Sequence, residues 1–176
     1  MLFPRRPRPT ITDLEYIGRQ GVIFKDDNLR FRGWLNTQSP NMIDTMVMGL
    51  HHVVTRDIDC TQCGNCCKAG GPAVTKKEIR RLAKHESMSA EAYEAANVSR
   101  DRNGTCHLKQ TPCKYFLGGY CAVYTKRPDE CRKFPHTDLR DFTTRLYGMI
   151  DRYSWCPIVY NIMERLKDET GYRRMR

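Results

Sequence analysis

The chain has 176 residues, 40% hydrophobic and 28% charged, a composition typical of one globular domain and not of a disordered segment. Its formal charge of +10 with neutral histidines favours acidic partners or phosphate backbones. No apolar run is long enough to cross a bilayer, and residues 1–9 lack the apolar core of a signal peptide, so membrane-spanning and secreted classes are disfavoured. We therefore expect a cytoplasmic protein with reduced thiols.

Two helix starts are predicted in the first third of the chain. Thr12–Glu15 has the pattern of a capping box, and the short helix that it predicts is weakened by Gly18 and Gly21. Ser39–Pro40 predicts a second helix, with Ser39 as N-cap, that runs to about Arg56. Its apolar face has three- and four-residue spacing and comprises Met42, Ile43, Met46, Val47, Leu50, Val53 and Val54.

The periodicity breaks between Asp59 and Gly71 and returns beyond it. Thr75–Glu78 predicts a further capping box, and Ser89 predicts the N-cap of another short helix. Residues 99–138 are predicted to be mostly loop. Pro157 opens a final amphipathic helix, for which Gly171 is the predicted stop.

These patterns predict a mainly α fold: a single small domain of helices around an irregular, cysteine-rich metal-binding region. The predicted segments are a basic N-terminal tail (1–9), an N-terminal helical segment (10–58), a cysteine-cluster metal-binding domain (59–168) and a basic C-terminal tail (169–176). The two tails are basic because they contain six arginines: Arg5, Arg6, Arg8, Arg173, Arg174 and Arg176.

Nine cysteines are confined to the stretch from Cys60 to Cys156. An odd number does not suit a closed set of disulfides, and a reducing compartment disfavours disulfides independently. Metal ligation is the remaining reason for so many thiols in one stretch. Ligating cysteines are deprotonated, so eight thiolates on two divalent ions would lower the net charge from +10 to about +6.

The first cysteine group is C-x2-C-G-x-C-C and comprises Cys60, Cys63, Cys66 and Cys67. A C-x2-C turn lets two sulfurs approach one ion at about 2.3 Å each. Gly64 can adopt a left-handed conformation that turns N–H groups toward the sulfurs. The adjacent Cys66 and Cys67 diverge, so they serve either two sites or one ligand position and one supporting position.

The second group comprises Cys113, Cys121 and Cys131, with Cys156 further along. Cys156 directly precedes Pro157, and a thiolate at a helix N-cap is stabilised by the helix dipole. Cys106 lies outside both groups and is either an extra ligand or a buried thiol.

The two groups together resemble the YkgJ-type cysteine-cluster family, described as a zinc- or iron-chelating domain. The resemblance rests on the C-x2-C-G-x-C-C group, on Cys113 followed by Phe116–Leu117, on Cys121-x2-Tyr124-x2-Arg127-Pro128-x2-Cys131-Arg132-x-Phe134-Pro135, and on Cys156–Pro157. It covers residues 59 to 167. Some relatives resemble iron–sulfur enzymes such as flagellin lysine methylases. This chain has no G-x-G-x-x-G or other nucleotide motif, so methylase activity is not transferred to it. Whether the chain is an enzyme is left open.

Several neighbouring residues have two interpretations each. Arg127 and Arg132 either neutralise thiolates or form ion pairs with nearby acids. Each of four histidines is either an ordinary solvated or core residue or a metal ligand in place of a cysteine, with His136 the best placed; the others are His51, His52 and His107. The aromatic residues are interpreted mainly as a shell that limits access of solvent to the metal, with base stacking as the alternative; they are Tyr115, Phe116, Tyr120 and Tyr124.

Thiolate ligands suit zinc and iron–sulfur clusters equally, including a [4Fe-4S] cluster. The first hypothesis is a metal-binding protein without catalysis of its own, which holds zinc or an iron–sulfur centre through the two cysteine groups. The second is an iron–sulfur enzyme or redox component that supports methyl or electron transfer to a protein partner. The third is a zinc-stapled basic module that binds RNA.

Overall fold

Ten α-helices and four strands of two or three residues make up the computed structural model, which describes residues 8–174. The helices are α1 (Leu14–Ile23), α2 (Lys25–Leu35), α3 (Pro40–Val54), α4 (Cys60–Cys63), α5 (Asn65–Ala69), α6 (Lys76–His85), α7 (Ala90–Asn97), α8 (Asp129–Lys133), α9 (Leu146–Tyr153) and α10 (Pro157–Glu169). The strands are β1 (Val98–Arg100), β2 (Cys106–Leu108), β3 (Phe116–Leu117) and β4 (Tyr120–Cys121), and 3-10 turns span Tyr124–Lys126 and Phe142–Arg145. The mainly α prediction is confirmed. Within residues 8–174, no helix is both long and apolar enough to traverse a bilayer.

The chain divides into two compact units. The frame unit contains the chain up to Asp59 and from Pro135 onward, and the cysteine unit is Cys60–Phe134. The domain bounds expected from the sequence remain a prediction.

In the frame unit, α10 packs against α1, α3 and α9. Every residue from Pro157 to Lys167 is buried, so this helix has no solvent-facing side over three turns. Two of its buried charged residues, Glu164 and Lys167, are paired: Lys167 Nζ donates to Asp27 Oδ2 at 3.1 Å and to Glu164 Oε1 at 3.1 Å. Arg174 also donates to Glu164, at 2.6 Å to each carboxylate oxygen. This ion-pair network makes burial of the polar face possible.

The two termini of the described chain dock on the same network. Arg8 donates to Glu164 at 3.0 Å and pairs with Asp168, and Arg165 donates to the carbonyl oxygen of Arg8 at 2.9 Å. Arg8 and Arg174 were assigned to basic tails from sequence, yet their guanidiniums bind acids of the frame unit. Arg5, Arg6 and Arg176 lie outside the described residues.

Helix α1 begins one residue later than the predicted capping box implies. The N-cap is Asp13 and not Thr12, because the Asp13 carboxylate accepts from the N–H groups of Glu15 and Tyr16 at 2.9 and 3.0 Å. The helix also continues through Gly18 and Gly21 to Ile23. A Cβ at residue 21 would lie 2.3 Å from Ser154 Cβ and 2.7 Å from its Cα, so glycine is required there by close packing.

Four other predicted helix boundaries are confirmed. Ser39 and Pro40 begin α3, and Thr75 with Glu78 forms a complete capping box on α6. The Ser89 hydroxyl accepts from Ala92 N at 3.1 Å at the start of α7. Helix α10 begins at Pro157 and is followed by Gly171 in a left-handed conformation.

In the cysteine unit, α6 packs on α7 and α7 leads into β1, which pairs antiparallel with β2. Two short antiparallel pairs, β1–β2 and β3–β4, lie where the sequence predicted mostly loop. The core of this unit is small and includes Ile79, Leu82 and Tyr93. Tyr115 and Val123 also belong to this core, and Cys113 and Cys121 pack against it.

Candidate metal centre

All nine cysteines are free thiols. Eight of them lie in the cysteine unit, and Cys156 lies in the frame unit. Cys60 and Cys63 lie at the two ends of α4, Cys66 and Cys67 in α5, Cys106 in β2, Cys113 just before β3, Cys121 in β4 and Cys131 in α8.

The turn between α4 and α5 depends on Gly64. Its φ of +59° is left-handed, as predicted, and its carbonyl oxygen accepts from Cys67 N at 3.0 Å. A Cβ at this position would lie 2.3 Å from the Phe116 ring. The glycine therefore lets the first cysteine group turn tightly while β3 packs directly on the turn.

A main-chain hydrogen bond joins the two cysteine groups. Cys113 N donates to the carbonyl oxygen of Cys67 at 2.8 Å. Pairing of β3 with β4 then sets Phe116 opposite Cys121. The chain that carries Cys113 and Cys121 is thus a hairpin fixed to the helix that carries Cys67.

Four thiols act on one another electrostatically: Cys67, Cys113, Cys121 and Cys131. Burial, together with the charges of the other three thiols, raises the pKa of Cys131 to about 12. Burial also raises the pKa of Cys113 and of Cys121, and the charge of Cys67 acts in the same direction on both. A hydrogen bond from Cys66 lowers the pKa of Cys67 to about 7. A shared cation would reverse the mutual repulsion, because it stabilises every thiolate of the group.

Two sulfurs of this group also accept main-chain hydrogen bonds from residues two positions later. Tyr115 N–H bonds to Cys113, and Val123 N–H bonds to Cys121; each contact lowers the pKa of its thiol against the effect of burial. N–H donors aimed at sulfur stabilise the charged form. From the sequence, N–H donors to sulfur are expected only around Gly64. In the structure, the N–H groups of Tyr115 and Val123 have this role in the second cysteine group.

The four thiols are neighbours, but their sulfurs do not converge on one point. Over residues 8–174, no three Cys, His, Asp or Glu side chains form a group that could hold a metal ion as placed. Their chemistry nevertheless fits zinc or iron: they are reduced, partly buried thiols with N–H donors, and they do not form disulfides.

Helix α6 supports both chain segments of the second group through polar contacts. Glu78 accepts from Asp129 N at 2.6 Å, and Arg81 donates to the carbonyl oxygen of Arg127 at 2.9 Å. These two bonds fix the loop that enters α8 and Cys131. At the other end of α6, Glu86 accepts from Lys114 Nζ at 2.8 Å and from the Tyr115 hydroxyl, next to Cys113.

The two arginines of the second motif have different roles. The guanidinium of Arg127 stacks on the Tyr124 ring with its carbon 3.6 Å from the ring centroid, and its charge acts against the burial that raises the pKa of Cys121. Arg132 lies 3.6 Å from Asp129 and donates to the carbonyl oxygen of Thr125 at 2.6 Å. Arg132 thus fits the ion-pair interpretation, and thiolate neutralisation by Arg127 stays a prediction.

Cys106 and Cys156 are more deeply buried than the other cysteines, at 8% and 6% exposure. Cys106 belongs to the hydrophobic core of the cysteine unit, which favours the buried-thiol interpretation. Cys156 is the N-cap of α10, as predicted.

Two of the candidate histidines have clear partners. His51 shares a hydrogen bond of 2.8 Å with Thr137, and burial lowers its pKa. His107 faces Asp101 at 3.3 Å. His136 and His52 lie in the frame unit, and His136 has a left-handed φ of +65°.

The aromatic shell is only partly closed. Tyr115 is buried and hydrogen-bonds to Tyr93 at 2.8 Å, and Phe116 is half-buried over Gly64. Tyr120 is 59% exposed and Tyr124 40% exposed, so these two rings face solvent. Solvent access is thus limited on the Tyr115 side alone.

The comparison with protein families agrees with these cysteine groups. Residues 59–157 match the family CxxCxxCC, whose description is "Putative zinc- or iron-chelating domain". This match is consistent with the resemblance to the YkgJ-type cluster. No curated protein and no solved structure is similar enough to the chain to count as a match. The family match extends over more than half of the chain, and the protein belongs to the CxxCxxCC family of zinc- or iron-chelating domains.

Proposed function

We propose that the chain holds one zinc ion or one iron–sulfur centre on the thiolates of Cys67, Cys113, Cys121 and Cys131. The observation that carries this proposal is the 2.8 Å hydrogen bond from Cys113 N to the carbonyl oxygen of Cys67, with Cys121 on the hairpin that follows. The charges of Cys67, Cys113 and Cys121 also raise the pKa of Cys131. Four thiolates complete the coordination of a structural zinc ion or of an iron–sulfur cluster.

The other cysteines of the predicted ligand set have supporting roles in this proposal. Cys66 donates a hydrogen bond to the sulfur of Cys67 and so favours its thiolate. Cys60 and Cys63 occupy α4, which packs against β4. They stay predicted ligands, as does Cys156 in the frame unit.

The testing experiment compares Cys131→Ser with Cys106→Ser in protein purified anaerobically. Both substitutions exchange one sulfur for oxygen in the same unit, at the half-buried Cys131 and the buried Cys106, but only Cys131 belongs to the group of four. We expect the bound metal per chain to fall strongly in Cys131→Ser and to match the parent protein in Cys106→Ser. Equal metal content in Cys131→Ser and the parent would overturn the assignment.

The same preparations distinguish the two metals. A brown protein that contains iron and acid-labile sulfide identifies an iron–sulfur centre, and a colourless protein with stoichiometric zinc identifies a zinc site. Absence of both metals from the parent protein after anaerobic purification and reconstitution would contradict the proposed function.

A further inference from the structure

The exposed side of α6 carries a row of positive charge that is separate from the sulfur group. Its basic face consists of Lys77, Arg80 and Lys84 on α6 and of Lys126 beside it. All four are exposed. The cysteine unit contains fourteen lysines and arginines against seven aspartates and glutamates, so it supplies most of the net positive charge of the chain.

Lys126 is held next to α6 by defined contacts. Arg81 Nε donates to the carbonyl oxygen of Lys126 at 3.1 Å, and Lys126 Nζ lies 3.2 Å from His85 Nδ1. Lys77 and Lys84 flank Arg81 on the same helix face, and they are about 10 Å apart along the axis. The four cations therefore form one continuous surface.

The acids near this face are already engaged. Glu78 is 5% exposed and binds Thr75 and Asp129 N, and Glu86 binds Lys114. Asp129, at 65% side-chain exposure, lies 3.6 Å from Arg132. Within the described chain, the side chains of Lys77, Arg80 and Lys84 have no carboxylate partner.

The face has none of the anchors of a stable protein interface. The apolar residues of α6, Ile79 and Leu82, are 1% and 0% exposed, and Arg127 lies over one face of the partly exposed Tyr124 ring. Protein interfaces concentrate binding energy in buried aromatic and apolar groups, whereas phosphate contacts need only positioned cations.

We infer that the basic face is a sequence-independent binding surface for the phosphodiester backbone of nucleic acid. Lysine ammonium groups replace the condensed counterions of the phosphates, and release of those counterions drives association. The inference does not depend on which metal the thiolates bind, because none of the four cations is a candidate ligand.

Fluorescence anisotropy of the full chain tests this inference with a short DNA duplex and a single-stranded RNA of random sequence. The test variant is Lys77→Gln/Lys84→Gln/Lys126→Gln. The matched control is Lys25→Gln/Arg56→Gln/Arg140→Gln, which removes three exposed charges from the frame unit. Circular dichroism confirms equal helix content before binding is compared.

We expect the parent to bind both probes at about 50 mM salt and to lose affinity steeply by about 200 mM salt. The basic-face variant should bind at least tenfold more weakly, and its salt slope on the duplex should be smaller by about 2.7, or about 0.9 for each lost phosphate contact. The control should retain most of the affinity. Preference for one probe identifies RNA or DNA as the source of the phosphates.

Three outcomes overturn the inference. Equal losses in the two variants would mean that net charge alone controls binding. Unchanged affinity in the basic-face variant would remove the surface from the interaction. Binding to poly-glutamate but to neither nucleic acid would assign the face to an acidic protein partner.

Discussion

Cys113 N donates to the carbonyl oxygen of Cys67 at 2.8 Å, and this one bond connects two cysteine groups that are 46 positions apart in sequence. The bond uses main-chain atoms and therefore leaves both sulfurs available as ligands. It also fixes the spacing between the first group and the hairpin of the second. The following predictions test how the surrounding structure maintains this arrangement.

Replacement of Glu86 should weaken metal binding although Glu86 is not a candidate ligand. Its carboxylate holds Lys114 and Tyr115, the two residues after Cys113. Supporting contacts of this kind change metal affinity by about tenfold or more. We expect Glu86→Ala to lose metal to a competing chelator at a lower chelator concentration than the parent. Glu94→Ala, which removes only an ion pair with Arg100, is the control, and equal behaviour of the two variants would contradict the prediction.

Gly64→Ala should destabilise the protein more than Gly104→Ala. Both glycines have left-handed φ angles, +59° and +82°, which cost other residues about 1–2 kcal/mol each. Only at Gly64 does a Cβ meet another group, the Phe116 ring. Urea unfolding of metal-loaded protein measures the difference. The second substitution Phe116→Ala should recover part of the loss that is specific to Gly64→Ala, and no recovery would exclude the ring as its cause.

Two alanine substitutions in the frame unit should change the free energy of unfolding in opposite directions. Gly21→Ala places Cβ against Ser154 Cα and Cβ, so we expect a loss of about 1–3 kcal/mol of unfolding free energy. Gly49→Ala lies within α3, where no atom is within 4 Å of the new Cβ, so a gain of up to about 1 kcal/mol is expected. Chemical denaturation of the two variants in parallel measures both values. A loss at Gly49 comparable to that at Gly21 would contradict the packing argument.

Acid should remove the stabilising effect of Glu164. Burial raises its pKa, but Lys167, Arg174 and Tyr153 outweigh burial, so the pKa in the folded protein lies below the ordinary value. A carboxylate with a lowered pKa contributes stability above its unfolded pKa of about 4.3, and this contribution is lost as the pH falls through the folded value. The melting temperature of the parent should therefore exceed that of Glu164→Gln at neutral pH. The difference in melting temperature between the two proteins should narrow below about pH 4.3. A difference that widened on acidification would contradict a lowered pKa of Glu164.

The helix boundaries that the sequence predicted correctly have local causes. Ser39–Pro40, Thr75–Glu78 and Cys156–Pro157 act within one turn, so short patterns suffice to identify them. The start of α1 was misplaced because Thr12 and Asp13 are adjacent cap residues, and only the structure shows which one accepts the N–H groups. Helices α2 and α9 were not predicted. Each has apolar residues that become buried only through tertiary packing, α2 against α9.

The candidate site was predictable in composition and not in geometry. The C-x2-C-G-x-C-C spacing identified the thiols and the left-handed Gly64 directly. The connection of Cys113 to Cys67 and the support from α6 depend on contacts between residues far apart in sequence. No periodicity encodes such contacts, and the N–H donors at Tyr115 and Val123 follow from the backbone path of the hairpin.

Helix α6 holds the segment before Cys131 through Glu78 and Arg81 and the segment after Cys113 through Glu86. One helix thus sets the distance between two sulfur-bearing loops at both of its ends. Thermodynamic linkage follows: an ion that binds sulfurs of both loops stabilises α6, and an intact α6 raises affinity for the ion by the same factor. Metal occupancy is therefore also a measure of how completely this helix is folded.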